Sequence, residues 1–348
     1  MSRKLLSYTA LGLILGNAAI ADVPKVAVDI APVHSLVSRV MEGVGSPKLI
    51  IPAGASPHEY SLRPSEAKSL QDADMVIWMG EDLAPWMENS IEKLAKNAEV
   101  ITLLEASETK LLDFREGALF EEHDHGDHDD HGDHDDHDDH DDHDDHDDHD
   151  HDKDHDDHGD HDDHDDHDDH DDHAGHDHGE HDPHAWLSIE NAQTWLNLVA
   201  GKLSAADPEN AGVYFGNAAA ARSEIEELSK EVNSILDPVR GRSFVVFHDA
   251  YQYFETSFDF PASGAISLGD ATDPSASRIA EIQGRVREEG INCVLSEPQY
   301  NPNLVETVLE GTDAKTGVID PLGVNLEPGP KLYGDLIRNM AKSLAGCL

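Results

Sequence analysis

Four residues in the 348-residue chain share one kind of address, each at the end of an apolar run or in the turn that leaves it. They are His58 in Ser56-Pro57-His58-Glu59-Tyr60, His184 in Asp182-Pro183-His184-Ala185-Trp186, His248 in Phe247-His248-Asp249, and Asp320 in Ile319-Asp320-Pro321. Three neutral imidazoles and one carboxylate offer nitrogen and oxygen donors at roughly 2.0–2.2 Å, the set favoured by tetrahedral zinc. A lone histidine near a turn is an ordinary structural residue. Here the joint pattern carries the argument: outside one repetitive stretch the chain has only His34, His58, His184 and His248, and three of those four occupy equivalent positions. His34 lies in the first turn of a helix after Pro32 and is not counted as a ligand.

The elements that must position these residues read as alternating strands and helices. Strand-like runs cover 23–30, 49–52 and 75–79, with helical spacing over 33–41 and a short helix from Pro64-Ser65-Glu66 to Leu70, Ser65 being read as its N-cap. The rhythm returns at 243–247, 265–268, 291–295 and 316–319. Strands separated by helices imply parallel sheets, and in such sheets ligands collect at the carboxyl ends of the strands. Between the two sets, Asp207-Pro208 opens a helical pattern that nothing breaks before Asp237-Pro238. The expected fold class is therefore α/β, with two lobes, each a mostly parallel sheet flanked by helices, joined by one long rigid helix. His58 and His184 fall in the first lobe, His248 and Asp320 in the second, so a cation bound by all four would sit in the cleft between them. The expected domains are a signal segment 1–21, an N-terminal lobe 22–206, a linker helix 207–238 and a C-terminal lobe 239–348.

The repetitive stretch dominates the charge. The formal net charge is −49, and residues 121–182 account for −33 of it, holding 31 Asp, 3 Glu and 21 of the 25 histidines against the single Lys153. Such acidity excludes a nucleic-acid binder. With almost no apolar content, this tract cannot offset its ordering entropy and is expected to be a disordered loop inserted in the first lobe when metal-free. Its imidazoles and carboxylates, among them His123, His125, His128, His176, His178 and His181, are expected to gather zinc at several interchangeable sites weaker than a preorganised centre. The match of His123-Asp124-His125-Gly126-Asp127-His128 to a hydrolase metal spacing is a product of that composition. Neither H-E-x-x-H nor G-x-S-x-G occurs in the chain.

Arg3 and Lys4, the apolar Leu5 to Leu15 and Ala19-Ile20-Ala21 form a secretory signal with cleavage before Asp22. Export implies an oxidising compartment, so the two cysteines, Cys293 and Cys347, are expected to pair. Glu297, just beyond a strand, could orient a ligand histidine or stabilise a turn, and Trp78, Trp86, Trp186 and Trp195 are read as packing residues.

Taken in order, Pro57-His58-Glu59-Tyr60, Leu62-Arg63-Pro64-Ser65, His184-Ala185-Trp186-Leu187, Phe247-His248-Asp249-Ala250-Tyr251, Ser296-Glu297-Pro298-Gln299 and Asp320-Pro321-Leu322-Gly323 resemble the periplasmic zinc-binding proteins of ABC importers, the ZnuA type within the cluster A-I group. The resemblance spans the mature chain. It implies a non-enzymatic carrier, a monomer, that binds Zn2+ between two α/β lobes and delivers it to an inner-membrane permease with its ATPase. Manganese carriers of the group place an acidic residue at the third ligand position, so His248 favours zinc over manganese. Some zinc members carry an acidic residue just before the first ligand histidine. Here that place is Pro57 and the acid is Glu59, which leaves the fourth donor as Asp320, Glu59 or water. Reading the same histidines as a periplasmic zinc-dependent hydrolase is the alternative from a different class.

Overall fold

The computed structural model describes residues 23–115, 120, 181–267, 274–300 and 302–348. The signal segment, and the loop histidines other than His181, lie outside the described residues. Two four-stranded sheets, both wholly parallel, are built from the two strand sets. The first contains β1 (Val26–Val28), β2 (Lys48–Leu49), β3 (Met75–Trp78) and β4 (Glu99–Thr102) in the order β2-β1-β3-β4. In the second, β5 (Phe244–His248), β6 (Ala265–Ser267), β7 (Cys293–Ser296) and β8 (Lys315–Val318) run in the corresponding order β6-β5-β7-β8. The central strands β1, β3 and β5 are buried throughout, which is why they read as unbroken apolar runs and not as alternating ones.

Helices α1 (Ala31–Val40), α2 (Pro64–Gln71) and α3 (Pro85–Leu94) cross over in the first sheet, and α6 (Gln252–Phe258), α7 (Ala276–Glu288) and α8 (Pro302–Leu309) in the second. Between the sheets run α4 (Ile189–Ala206) and α5 (Ala211–Leu236), and α9 (Leu332–Cys347) closes the chain. Residues Tyr214, Ala218, Ala221, Ile225, Leu228, Val232 and Leu236 form one buried stripe at helical spacing along α5, which packs on α4, α9 and α1. With 26 residues, α5 spans about 39 Å at 1.5 Å per residue. It works as a spine packed along its length, not as an isolated rod. Among the described residues no helix is long and apolar enough to cross a membrane.

The long helix opens at Pro208 as expected, with a 3-10 first turn, Pro208–Asn210, ahead of α5, and buried Asp207 accepts hydrogen bonds from Asn210 Nδ2 at 2.7 Å and Tyr214 Oη at 2.9 Å. One local expectation shifts. Ser65 is not the N-cap of α2. Arg63 holds that place, Pro64 is the first helical residue, and Glu66 Oε2 accepts from the Arg63 backbone N–H at 2.7 Å. Proline at the first position needs no acceptor, so the helix can begin two residues earlier than a Ser65 cap requires.

Cys293 in β7 and Cys347 at the end of α9 form the expected disulfide, with Cα atoms 5.8 Å apart and 54 residues between them in sequence. The bridge ties the last helix to the centre of the second sheet. Chain-entropy arguments for a loop of this length give about 4 kcal/mol. Replacing both cysteines by alanine should therefore lower unfolding free energy by about that amount in denaturant titrations; a loss below about 1 kcal/mol would refute the role.

At the carboxyl end of β1, fully buried Asp29 joins two strands: Oδ1 accepts from the Ile30 N–H at 2.7 Å and Oδ2 from the Met79 N–H at 2.6 Å. Burial pushes this carboxyl up to about 7, against the backbone hydrogen bonds that favour its charged form. The folded chain thus keeps a proton that the unfolded chain, with an ordinary value of 3.8, releases. The contribution is complete below about pH 4 and is lost as pH rises through about 7. Between pH 5 and pH 8 the wild type should lose more stability than Asp29→Asn; parallel pH profiles would contradict this.

Candidate functional site

Four of the sequence-predicted residues lie at or follow the carboxyl ends of strands; His184, expected at such an end too, follows no strand among the described residues. His58 lies in the loop after β2, His248 is the last residue of β5, Glu297 follows β7, and Asp320 follows β8 by two residues. His184 opens the 3-10 turn Ala185–Leu187 that leads into α4, whose N-cap Ser188 accepts from the Asn191 N–H at 3.2 Å. Tryptophans hold these loops through their indole N–H groups. Trp86 Nε1 donates to Pro57 O at 2.7 Å beside His58, and Trp186 Nε1 donates to Pro321 O at 2.9 Å, linking the His184 turn to the loop after β8. Trp86 and Trp186 therefore do more than pack.

One small cavity of about 20 Å³ is lined from the first half by Ser56, Pro57, His58, His184 and Trp186, and from the second by His248, Glu297, Gln299, Tyr300, Pro321 and Leu322. Inside it the His58 and His184 ring centres are 5.6 Å apart and those of His184 and His248 5.3 Å. His184 Nδ1 donates to Asp182 Oδ1 at 2.7 Å, and His248 Nδ1 donates to Glu297 Oε1 at 2.5 Å. A carboxylate only accepts, so each ring carries its proton on Nδ1 and, when neutral, its lone pair on Nε2. The two Nε2 atoms face each other at 3.4 Å. Of the two readings that the sequence left open for Glu297, its hydrogen bond with His248 agrees with the one that holds a histidine ring.

The other expected donors are placed differently. The Asp320 carboxylate accepts backbone N–H groups of Leu322 at 3.0 Å, Gly323 at 2.9 Å and Val324 at 2.7 Å, and it lines a separate surface cavity. Glu59 is exposed. His34 is buried in α1, with Nε2 3.3 Å from Pro47 O. His181 pairs at the surface with Asp113, Nδ1 to Oδ1 2.9 Å. Among the described residues, no three His, Cys, Asp or Glu side chains already close around a single point.

A second layer was not legible in the sequence. Arg115 reaches across to the residue after His248, donating to both Asp249 oxygens, with Nε to Oδ2 at 3.0 Å, and to Glu255 through Nη1 at 2.7 Å and Nη2 at 3.1 Å. Burial pushes both carboxyls up, against the opposing hydrogen bonds from Arg115. On the same helix, Tyr253 Oη accepts from the Leu112 N–H and donates to Asp182 O, both at 2.9 Å. Gln252, with its amide nitrogen turned to its acceptors, donates to Asp182 Oδ2 at 3.2 Å and Asp113 O at 3.1 Å. The first turns of α6 therefore clasp both stems of the acidic tract beside the two histidines. Asp182 and Asp249 could have been found as carboxylates two and one positions from a candidate ligand. Arg115, 134 residues from Asp249, left no local signal. Arg115→Ala leaves two buried carboxylates without their counter-ion and should cost about 3–5 kcal/mol of unfolding free energy; a loss under about 1 kcal/mol would show that the clasp carries no weight.

Comparison with known proteins agrees with this architecture. The family model described as zinc-uptake complex component A, periplasmic, matches residues 26–347. The high-affinity zinc uptake system protein ZnuA of Brucella abortus is 45% identical over 333 residues, covering 96% of this chain and 94% of that protein. Its Paracoccus denitrificans counterpart is 45% identical over 346 residues, covering 98% of each chain. A crystal structure of ZnuA superposes with a TM-score of 0.67 at 18% identity, over 94% of this chain and 99% of that one. The Zn(II)-bound ZnuA-like domain of Streptococcus pneumoniae AdcA superposes with a TM-score of 0.62 at 22% identity, over 93% and 98%. These last two establish likeness of fold. By the family match and the near full-length identity to curated relatives, the chain belongs to the ZnuA family of periplasmic zinc-uptake components, non-enzymatic binding proteins of import systems.

Proposed function

We propose that this chain captures Zn2+ with His58, His184 and His248, in the cleft between an N-terminal lobe (22–206) and a C-terminal lobe (239–348), and hands it to an inner-membrane ABC permease driven by its ATPase. The observation that carries the reading is the 3.4 Å between His184 Nε2 and His248 Nε2, with both Nδ1 atoms tied to carboxylates. A tetrahedral ion bonded at roughly 2.0–2.1 Å to two nitrogens separates them by about 3.3–3.4 Å. Carboxylate-tethered imidazoles are also the usual outer support of a zinc centre, fixing the tautomer and raising ligand basicity. Two lone pairs aimed at each other at that separation are stabilised by a cation between them.

Of the three fourth donors the sequence allows, water agrees best with the geometry. Asp320 would have to give up backbone hydrogen bonds to reach the cation, and Glu59 would have to leave solvent. The cavity of about 20 Å³ admits an ion or a water and no organic substrate, which argues against hydrolysis. Three imidazoles suit zinc better than manganese, which prefers oxygen donors. The acidic tract, including His123, His125, His128, His176, His178 and His181, gathers or senses zinc ahead of the cleft. Residues 1–21 direct export to the periplasm, and the carrier works as a monomer.

His248→Ala should abolish the tightest zinc-binding event in competition calorimetry while leaving weaker events, and deletion of 123–181 should do the reverse. Zn2+ should outcompete Mn2+ at the tight site. Its affinity should fall as pH drops below about 6, because imidazoles must be neutral to bind. Tight binding retained by His248→Ala would overturn the assignment. Growth of a null strain in chelated medium, restored by added zinc, checks the delivery step.

A further inference from the structure

Gln299 shares the histidine-lined cavity, two residues beyond Glu297. Both polar atoms of its amide, Oε1 and Nε2, are buried, and neither has a hydrogen-bond partner among the described residues. Burying a donor and an acceptor unsatisfied incurs their full desolvation penalty. Native chains retain such groups where a ligand, an ordered water or an ion completes them. A site built from three imidazoles leaves a tetrahedral cation with one open position. Of the carboxylates near this position, Glu297 is bonded to His248, Asp320 is bonded to three backbone N–H groups, and Glu59 is exposed. Among the residues that line the cavity, Gln299 is the one whose buried side-chain polar atoms have no partner among the described residues.

We propose that Gln299 is a binding residue of the metal centre, its amide holding a water molecule that is the fourth ligand of the cation. In that arrangement Oε1 accepts a hydrogen bond from the water. The inference rests on the three-histidine reading and adds what completes the shell. An amide, unlike a carboxylate, offers no general base toward a bound water. A neutral, exchangeable fourth ligand also lets the cation leave without separating it from a bound anion.

The test uses the full-length chain, Zn2+ in competition with a chromophoric chelator, and Co2+ as a spectroscopic probe of the coordination shell. Gln299→Leu should weaken the tightest zinc-binding event by about ten- to a hundred-fold, the range typical for loss of an outer-shell partner. It should change the visible Co2+ spectrum and leave the Tm of the metal-free protein unchanged or higher, since an unsatisfied amide has been removed. Gln299→Glu, which keeps the acceptor, should bind at least as tightly as wild type. Wild-type zinc affinity and Co2+ spectrum in Gln299→Leu would overturn the proposal. So would a loss of affinity matched by a lowered metal-free Tm, which would make Gln299 a folding residue. His248→Ala measured alongside separates the two levels. If it loses the tight event while Gln299→Leu keeps it, only this inference falls; if it keeps the event, the histidine centre falls and Gln299 with it.

Discussion

Two imidazoles from opposite halves of the chain are held edge to edge, and each is fixed from behind by a buried carboxylate. That constraint organises what surrounds it. A histidine ring can rotate about two torsions and present either nitrogen. A carboxylate at Nδ1 removes both freedoms at once, because it can only accept. The entropy of orienting the rings is thus met during folding, so that a cation bound as proposed would meet donors already aimed. Donors that are not preorganised must be ordered on each binding event, which is the physical difference between a selective centre and a collecting surface.

Holding the rings in place requires the two sheets to keep a fixed relation, and the packing supplies it. The spine α5 contacts α1, α4 and α9 along one apolar stripe, so elements from both ends of the chain share one core. Hydrogen bonds then cross between the halves next to the cavity: Trp186 to Pro321, Tyr333 Oη to Trp186 O at 3.1 Å, and Tyr253 to Asp182. Arg115 adds a charged crossing. Its guanidinium also lies 3.5 Å from the centre of the Phe120 ring, a cation–π contact that covers one side of the charge. Around the histidines, Asp182, Asp249, Glu255 and Glu297 are all buried, with Arg115 as the cation bonded to two of them. On the proposed function, a divalent cation in the cavity would bring this excess of negative charge nearer to balance.

Much of the fold was readable because parallel strands buried on both faces leave an unmistakable apolar run, as at 75–79 and 243–247. The strands that the sequence placed poorly are those whose pairing is short or at an edge. β2 pairs over only two residues, and β4, half exposed with Val100 at 42%, carries too little apolar signal to stand out. Capping at α2 went to Arg63 because proline moved the helix start, a local effect that a serine-based rule overlooks. The three histidines were legible because the rest of the chain uses so few outside the repeat. Arg115 was not, since its partners lie across the fold and its own neighbours in sequence are unremarkable. Gln299 stood within a quoted motif, yet a glutamine has no distinctive chemistry until burial strips it of water.

On the proposed function, the acidic tract and the cleft would divide one task along a thermodynamic line. Attraction of a divalent cation to a segment carrying −33 is long-ranged and weakly selective, so it would raise the local concentration and the encounter rate without deciding which metal is kept. Choice would be made where donor type and geometry are fixed, at the three imidazoles. Both stems of the tract are clasped by α6, through Tyr253 and Gln252 to Leu112, Asp113 and Asp182 and through Glu255 to Arg115. Asp182 is at once the exit of the tract and the anchor of His184. On that proposal, collection and selection would meet at this one residue.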